Sequence, residues 1–326
     1  MKKTLLDCLR DNIGRRFTSS ELLLRTSLTR SRLYQEVRHL RQAGYVIDHR
    51  PRHGYRLKAI PDRLIPDEIH RGLKTHIIGR DILTYKDVDS TMDVAARLAE
   101  KGAREGTTVF AERQRAGKGR VGRHWYCPGH KGILMTTILR PHIKADRIYL
   151  LTVMMTVATA EAIRDFLNLP AYIKWPNDVI INNKKVCGVL VETKAPRERK
   201  PYFLAGIGIN ANLTGPELPK GVIYPATSLL LEKGSRVNRI AFSQALLTRL
   251  DGWYAHFKKG DYRNIRKRGA ELCPMIGHRV RLQEKDIEYT GKILDLSAHG
   301  GLVVELDTGA RVTFRGEHLV IKEITP

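Results

Sequence analysis

The stretch IYLLTVMMTVATAEAI, residues 148–163, constrains the fold of this chain more than any other segment. A helix that is apolar all round must be covered all round, so it demands a large surrounding core. It is shorter than the ~20 residues a bilayer span requires, and Asp146, Arg147, Arg164 and Asp165 bound it with charge. The pattern therefore predicts a buried core helix over 146–167 and no membrane association. A chain of 326 residues with 42% hydrophobic content can supply two or three such cores.

The segments around that helix alternate in period. Ser90 and Asp93 make a Ser-x-x-Asp capping box ahead of MDVAARLAEKG, whose Val94, Ala95 and Leu98 share a helical face. TTVFAER, GILMTTILRP and YFLAGIGINANL read as strands, and AYIKWPNDVII with KKVCGVLVE reads as a hairpin turning at Asn182 and Asn183. NRIAFSQALLTRLDGWYAHFKKG is a further amphipathic helix. We read an α+β chain: a helical head with a hairpin over 1–60, a linker over 61–74 marked by the two prolines of PDRLIPDE, a mixed α/β domain over 75–271, and an all-β barrel over 272–326, where apolar and polar residues alternate between Gly-rich turns.

Charge narrows the partners. The chain carries 57 Lys+Arg against 34 Asp+Glu, a formal +23, which points to an anionic ligand or surface. Residues 1–60 hold 14 basic against 5 acidic side chains, and residues 274–326 hold 7 against 8, so the surplus lies in the head and the middle. Cys8, Cys127, Cys187 and Cys273 form no C-x-x-C pair, which argues against a zinc knuckle or a disulfide framework and for a reducing cytoplasm. MKKTLLDCLRDN has charge within its apolar stretch and does not resemble a secretory signal.

In the head, LLDCLRDN, SSELLLRTS with a Ser cap, and TRSRLYQEVRHLRQAG read as three helices, the last carrying Leu33, Val37 and Leu40 on one face and stopping at Gly44. Its other face shows Arg30, Ser31, Arg32, Gln35 and Arg38 just after Thr29. This is the arrangement of a winged helix-turn-helix: apolar residues dock the second helix while Arg and Gln reach phosphates and base edges in the major groove. Arg50 and Arg52, in the turn of YVIDHRPRHGYRL, fit a wing over the DNA backbone.

Two clusters in the middle carry chemistry. GKGRVG at 117–122 has the spacing of a dinucleotide turn, yet Pro128, Gly129 and Gly132 forbid the helix that would hold a pyrophosphate, and residues 113–145 contain no acidic residue to take a ribose hydroxyl. It is instead a flexible loop loaded by Lys118, Arg120 and Arg123 with charge that its sequence neighbourhood leaves uncompensated, and Trp125 can serve as its lid. A cation–anion contact at ~4 Å contributes on the order of 4 kcal/mol before desolvation, enough to fold such a loop over a phosphate or carboxylate. The second cluster, Lys174-Trp-Pro-Asn177-Asp178 with Lys184 and Lys185 on the return strand, sets one carboxylate among lysines, a pattern that suits Mg²⁺ beside a triphosphate and a cation against a substrate carboxylate.

Gln114, the loop 117–125, K174-W-P-N-D178, K185-V-C-G-V-L-V-E192, D89-S-T91 and G206-I-G-I-N-A-N212 together resemble biotin protein ligase, and the basic head makes the chain similar to the bifunctional type that is also a biotin operon repressor. The resemblance implies a ligase domain of the biotin/lipoate type, an SH3-like C-terminal barrel, and conversion of biotin and ATP, with Mg²⁺, to biotinyl-5′-AMP before transfer to a lysine of a biotin carboxyl carrier domain. It implies that Ser90, Thr91, Met92 (by its backbone) and Gln114 hold the biotin head. Lys118, Gly119 and Arg120 would close over biotin and the adenylate, with Arg123, Trp125, Lys174, Asn177 and Asn210 on the adenylate side. Lys185, with Arg120, would act at the junction of carboxylate and α-phosphate, and Asp178 would face the metal. It implies operator DNA as a partner and a homodimer when the adenylate is bound. Met92 stands where the family usually has Asn, and Lys118 and Val121 stand where it is often Arg. A lipoate-type ligase would lack the basic G-x-G-R loop, and a sensor that had lost transfer would not need Arg120 and Lys185.

Overall fold

The computed structural model describes residues 3–144, 147–195, 200–219, 224–316 and 319–325. By contacts the chain divides into two compact units, 1–62 and 63–326.

The first unit contains α1 (Leu5–Arg10), β1 (Arg16–Phe17), α2 (Ser19–Thr26), α3 (Arg30–Gln42), β2 (Val46–Arg50) and β3 (Gly54–Ala59). Threonines start all three helices: Thr4, Thr18 and Thr29 each accept a backbone N–H of the first turn. The cap expected at Ser19 lies one residue earlier, because Thr18 and Glu21 satisfy each other's backbone donors in a reciprocal box. Ser27 then takes a left-handed conformation, φ 57°, and turns the chain from α2 into α3. Leu33 and Val37 of α3 are buried with Leu5, Leu9, Phe17, Leu22 and Leu57. The hairpin forms as expected; β1, too short to carry a period, extends it to the order β1-β3-β2.

In the second unit a seven-stranded mixed sheet runs β4 (Ile82–Tyr85), β5 (Thr108–Ala111), β6 (Ile133–Leu139), β10 (Tyr202–Ile209), β9 (Lys184–Lys194), β8 (Asp178–Ile181), β7 (Tyr172–Lys174). Only β4 and β5 pair in parallel. Asn182 and Asn183, both at positive φ, make the β8–β9 turn, since Asn tolerates the left-handed region a tight hairpin demands. α5 (Thr91–Glu100) packs on β5, β6 and β10. α6 (Ile148–Leu167) packs against β7, β8 and β9 and is covered by α8 (Arg239–Lys258) and α9 (Tyr262–Glu271), which is why its apolar residues from Leu150 to Ile163 are all buried, while Phe166 in the last turn is exposed. Residue 146, the expected start of this helix, lies outside the described residues.

The stretch read as a linker carries α4 (Pro66–His70), whose Ile69 is fully buried. Long-range polar contacts fasten it: the Gln244 amide donates to the carbonyls of Glu68, Ile69 and Arg71, and Asp251 accepts the N–H groups of His76, Ile77 and Ile78. Buried Glu112 accepts from Leu64 N at 2.7 Å and pairs with the fully buried Arg239 at 2.7 Å. None of these partners lies near in sequence, so prolines alone misrepresented the segment. After α7 (Leu229–Lys233), α8 and α9, the chain ends in a β-rich part: β11 (Arg279–Glu284), β12 (Ile287–Leu296), β13 (Leu302–Leu306), β14 (Arg311–Phe314) and β15 (Leu319–Thr325), ordered β14-β13-β12-β11-β15. Trp175 Nε1 donates to Gly300 O at 2.9 Å and ties this part to the β7–β8 turn. Among the described residues no helix is long and apolar enough to cross a membrane.

Candidate functional site

A cavity of about 890 Å³ opens over β8, β9 and β10, bounded by the N-terminus of α5, the 114–126 loop and, from the C-terminal part, Gln283, Lys285 and residues 319–321. That volume accommodates a nucleotide-sized ligand. Ser90, Thr91, Met92, Gln114, Lys118, Gly119, Arg120, Arg123, Trp125, Lys174, Asn177, Asp178, Lys185 and Asn210, separated by up to 120 positions in sequence, all line it.

At one end sits the start of α5. Ser90 caps the helix by accepting from Met92 N at 3.2 Å. The reciprocal bond expected from Asp93 is absent, because that carboxylate turns outward to Lys118. Thr91 donates to Gln114 Oε1 from both its backbone N (2.7 Å) and its hydroxyl (2.9 Å). Met92 fills the space above Gly206, where a Cβ would fall 2.8 Å from the thioether sulfur.

The basic loop is better compensated than its own sequence suggests. Lys118 pairs with Asp93, Arg115 with Asp89, and Arg113 and Arg115 lie 3.7 and 3.8 Å from Asp87, all acids that precede the loop and reach it only through the fold. Arg120 Nη1 donates to Asn177 Oδ1 at 2.9 Å, while Asn177 Nδ2 donates to Val189 O at 2.7 Å, so the loop is latched to the β7–β8 turn. Val121 holds φ 53°, a conformation that β-branched residues rarely adopt. Trp125 lies on a floor that only glycine permits: Gly188 and Gly208 are cross-strand partners, and a Cβ on them would fall 3.0 and 2.5 Å from the indole.

At the other end Lys185 Nζ is 2.7 Å from Asp178 Oδ1 and 5.5 Å from the centre of the Trp125 ring. Lys174 stacks its ammonium on the Tyr224 ring. Burial pushes its pKa down to about 8, Asp178 opposing and Lys185 adding to the fall. Six cations, Lys118, Arg120, Arg123, Lys174, Lys185 and Lys285, line the cavity against one carboxylate, Asp178, among the described residues. Three buried polar atoms there have no hydrogen-bond partner among the described residues: Asp178 Oδ1, which has its ion pair with Lys185, and Trp125 Nε1 and Asn210 Oδ1. Asn210 Nδ2 is committed to Thr227 O at 3.0 Å, so the orphan is its acceptor. A cationic cavity with an unmet donor and acceptor is built to take a polar anion. No cluster of three His, Cys, Asp or Glu is placed to hold a metal among the described residues.

Sequence reasoning missed Tyr224, the lining from the C-terminal part, and the glycine floor; GIGIN and CGVLVE held a signal for the last, small residues at alternate positions of buried strands, but the others approach only by tertiary packing. In the first unit Thr29, Arg30, Ser31, Arg32, Gln35, Arg38, Arg50 and Arg52 are all exposed, Thr29 as the cap of α3, with the hairpin turn bearing Arg52 at φ 63°.

Residues 85–211 match the biotin/lipoate A/B protein ligase family and residues 275–321 the biotin protein ligase C-terminal domain. The chain is 30% identical to the bifunctional ligase/repressor BirA of Bacillus subtilis over 97% of its own length and 98% of that protein's, and 25% identical to BirA of Escherichia coli over 89% of each. The biotin protein ligase of Aquifex aeolicus, solved in complex with biotin and ATP, superposes with a TM-score of 0.65 at 27% identity, covering 75% of this chain and 99% of that one.

Proposed function

The chain belongs to the biotin protein ligase family, and from that premise we propose that it is an ATP-dependent biotin–[biotin carboxyl-carrier protein] ligase and a biotin-responsive DNA-binding repressor, working in the cytoplasm. The observation that carries the enzymatic reading is the cavity itself, six cations against one carboxylate beside a hydrogen-bonding end formed by Ser90, Thr91 and Gln114. The reaction brings two anions together: a biotin carboxylate oxygen bonds to the α-phosphorus of ATP while the bond to pyrophosphate breaks, and a carrier lysine then takes the acyl group as AMP leaves. Such a reaction depends on fixed cations at the junction more than on a general base.

In this reading the biotin head lies at Ser90, Thr91, the Met92 backbone and Gln114, and its chain runs from there toward Lys185. Lys185 holds the carboxylate and α-phosphate together with Arg120; Gly119, Lys118, Arg123 and Trp125 cover the mixed anhydride. Lys174, Asn177 and Asn210 serve the nucleotide, with Asn210 Oδ1 accepting from it. Asp178 is the residue that would face Mg²⁺, and its single carboxylate suits an ion that takes the rest of its ligands from phosphates and water. When bound, that ion would neutralise the triphosphate charge.

Residues 75–271 are the ligase domain, 272–326 an SH3-like barrel that completes the nucleotide end of the cavity, and 1–60 a winged helix-turn-helix. Exposed Arg32, Gln35 and Arg38 on α3 would read operator DNA, Thr29, Arg30 and Ser31 would contact its backbone, and Arg50 and Arg52 would form the wing. A homodimer of the adenylate-bound form suits this reading, since paired heads match a palindromic operator.

Incubation with biotin, ATP, Mg²⁺ and a carrier domain tests the enzyme: pyrophosphate release, biotinyl-AMP and a biotinylated lysine are expected, and absence of the adenylate refutes it. Arg120→Ala is expected to release biotinyl-AMP faster, because the Asn177 latch and one cation go together; a stopped-flow off-rate equal to wild type contradicts that role. Arg32→Ala is expected to weaken operator binding by ~1–3 kcal/mol while ligation stays at wild-type rate. Undiminished operator affinity in a gel-shift titration would remove α3 as the reading helix.

A further inference from the structure

Thr136 sits in β6 with no exposed surface and reaches the cavity only through another residue. Its Oγ1 lies 2.8 Å from Thr91 Oγ1, which lies 2.9 Å from Gln114 Oε1. A carboxamide oxygen can only accept, so the one proton of Thr91 must be given to Gln114. Thr91 then has only lone pairs to offer Thr136, and Thr136 must be the donor. The chain has one direction: Thr136 to Thr91 to Gln114. With Thr91 N at 2.7 Å as a second donor, Gln114 Oε1 is saturated and its NH₂ group is turned away from them. Ser90 Oγ, accepting from Met92 N, likewise keeps its proton for another group.

We propose that Thr136 is a positioning residue that fixes the orientation of the Gln114 amide, so that this end of the cavity presents donors and selects a ligand whose buried end carries a hydrogen-bond acceptor such as a ring carbonyl. This rests on the ligase reading and deepens it. Without the Thr136 proton, Thr91 gains a lone pair with no donor and its hydroxyl loses the constraint that points it at Gln114, so the amide is held by the Thr91 N–H alone and its position loosens. Substrate binding weakens; the distant junction at Lys185 is untouched. Volume is not the cause, because valine has nearly the shape of threonine.

Thr136→Val is expected to raise the KM for biotin on the order of tenfold, the worth of about one hydrogen bond, with kcat and the KM for ATP unchanged. Thr136→Ser keeps the donor and should restore the wild-type KM. In a Gln114→Ala background Thr136→Val should add nothing, since the effect passes through that amide. Melting temperatures of each variant identify loss of fold, and Thr136→Ala serves as a second donor-free variant should valine not be accommodated. A biotin KM within about twofold of wild type in a folded donor-free variant, failure of serine to rescue, or full additivity with Gln114→Ala overturns the proposal. Failure of the ligase reading is separate, since the wild-type protein would then make no adenylate.

Discussion

Lys185→Ala is expected to lower the rate of biotinyl-AMP formation by at least about 10²–10³-fold, the size of effect seen when one preorganised group facing developing charge is removed. Two consequences of one substitution add. The cation at the carboxylate–phosphate junction disappears, and Asp178, held 2.7 Å from Lys185 Nζ, is left as an uncompensated negative charge facing an incoming anionic nucleotide. Lys174 replaces it poorly, because its ammonium is already stacked on the Tyr224 ring and lies at the nucleotide end of the cavity rather than at the junction. A single-turnover measurement of pyrophosphate release checks the point, and wild-type rates would remove Lys185 from the chemistry.

Arg239→Ala is expected to destabilise the 63–326 unit by about 3–5 kcal/mol, the cost of removing one partner from a buried ion pair. Arg239 is fully buried, Glu112 nearly so, and the arginine also donates to Gly132 O at 3.0 Å. Its loss leaves a buried carboxylate with the Leu64 N–H at 2.7 Å and His130 Nδ1 at 3.4 Å as its remaining neighbours. Surface pairs such as Arg311–Glu305 involve exposed side chains and are worth little by comparison. Urea unfolding gives the measure: a midpoint shift below the equivalent of about 1 kcal/mol would show that the pair is not what anchors the start of this unit to β5. Glu112 is two residues from Gln114, so the folded fraction of this variant should also bind biotin less well.

Local pattern set a good deal of this protein. The period of 148–163 demanded a helix covered on all sides, the alternation after Pro274 demanded strands, Asn182 and Asn183 demanded a tight turn, and Pro128, Gly129 and Gly132 ruled out a helix after the basic loop, because each depends on residues within a few positions of one another. Cation-rich motifs pointed to side chains that the fold brings to one cavity, since an anion-binding site needs particular residue types whatever the fold. What packing alone decided was partnership. Asp93 left its helix cap for Lys118, Gln244 and Asp251 drew the proline-marked segment into the body, Gly188 and Gly208 met across strands to seat Trp125, and the C-terminal part closed the cavity with Lys285 and residues 319–321. These contacts join residues tens to more than a hundred positions apart, and no local propensity encodes them. Their energy appears only once burial has removed the competing water, which is a property of the folded interior and not of any segment within it.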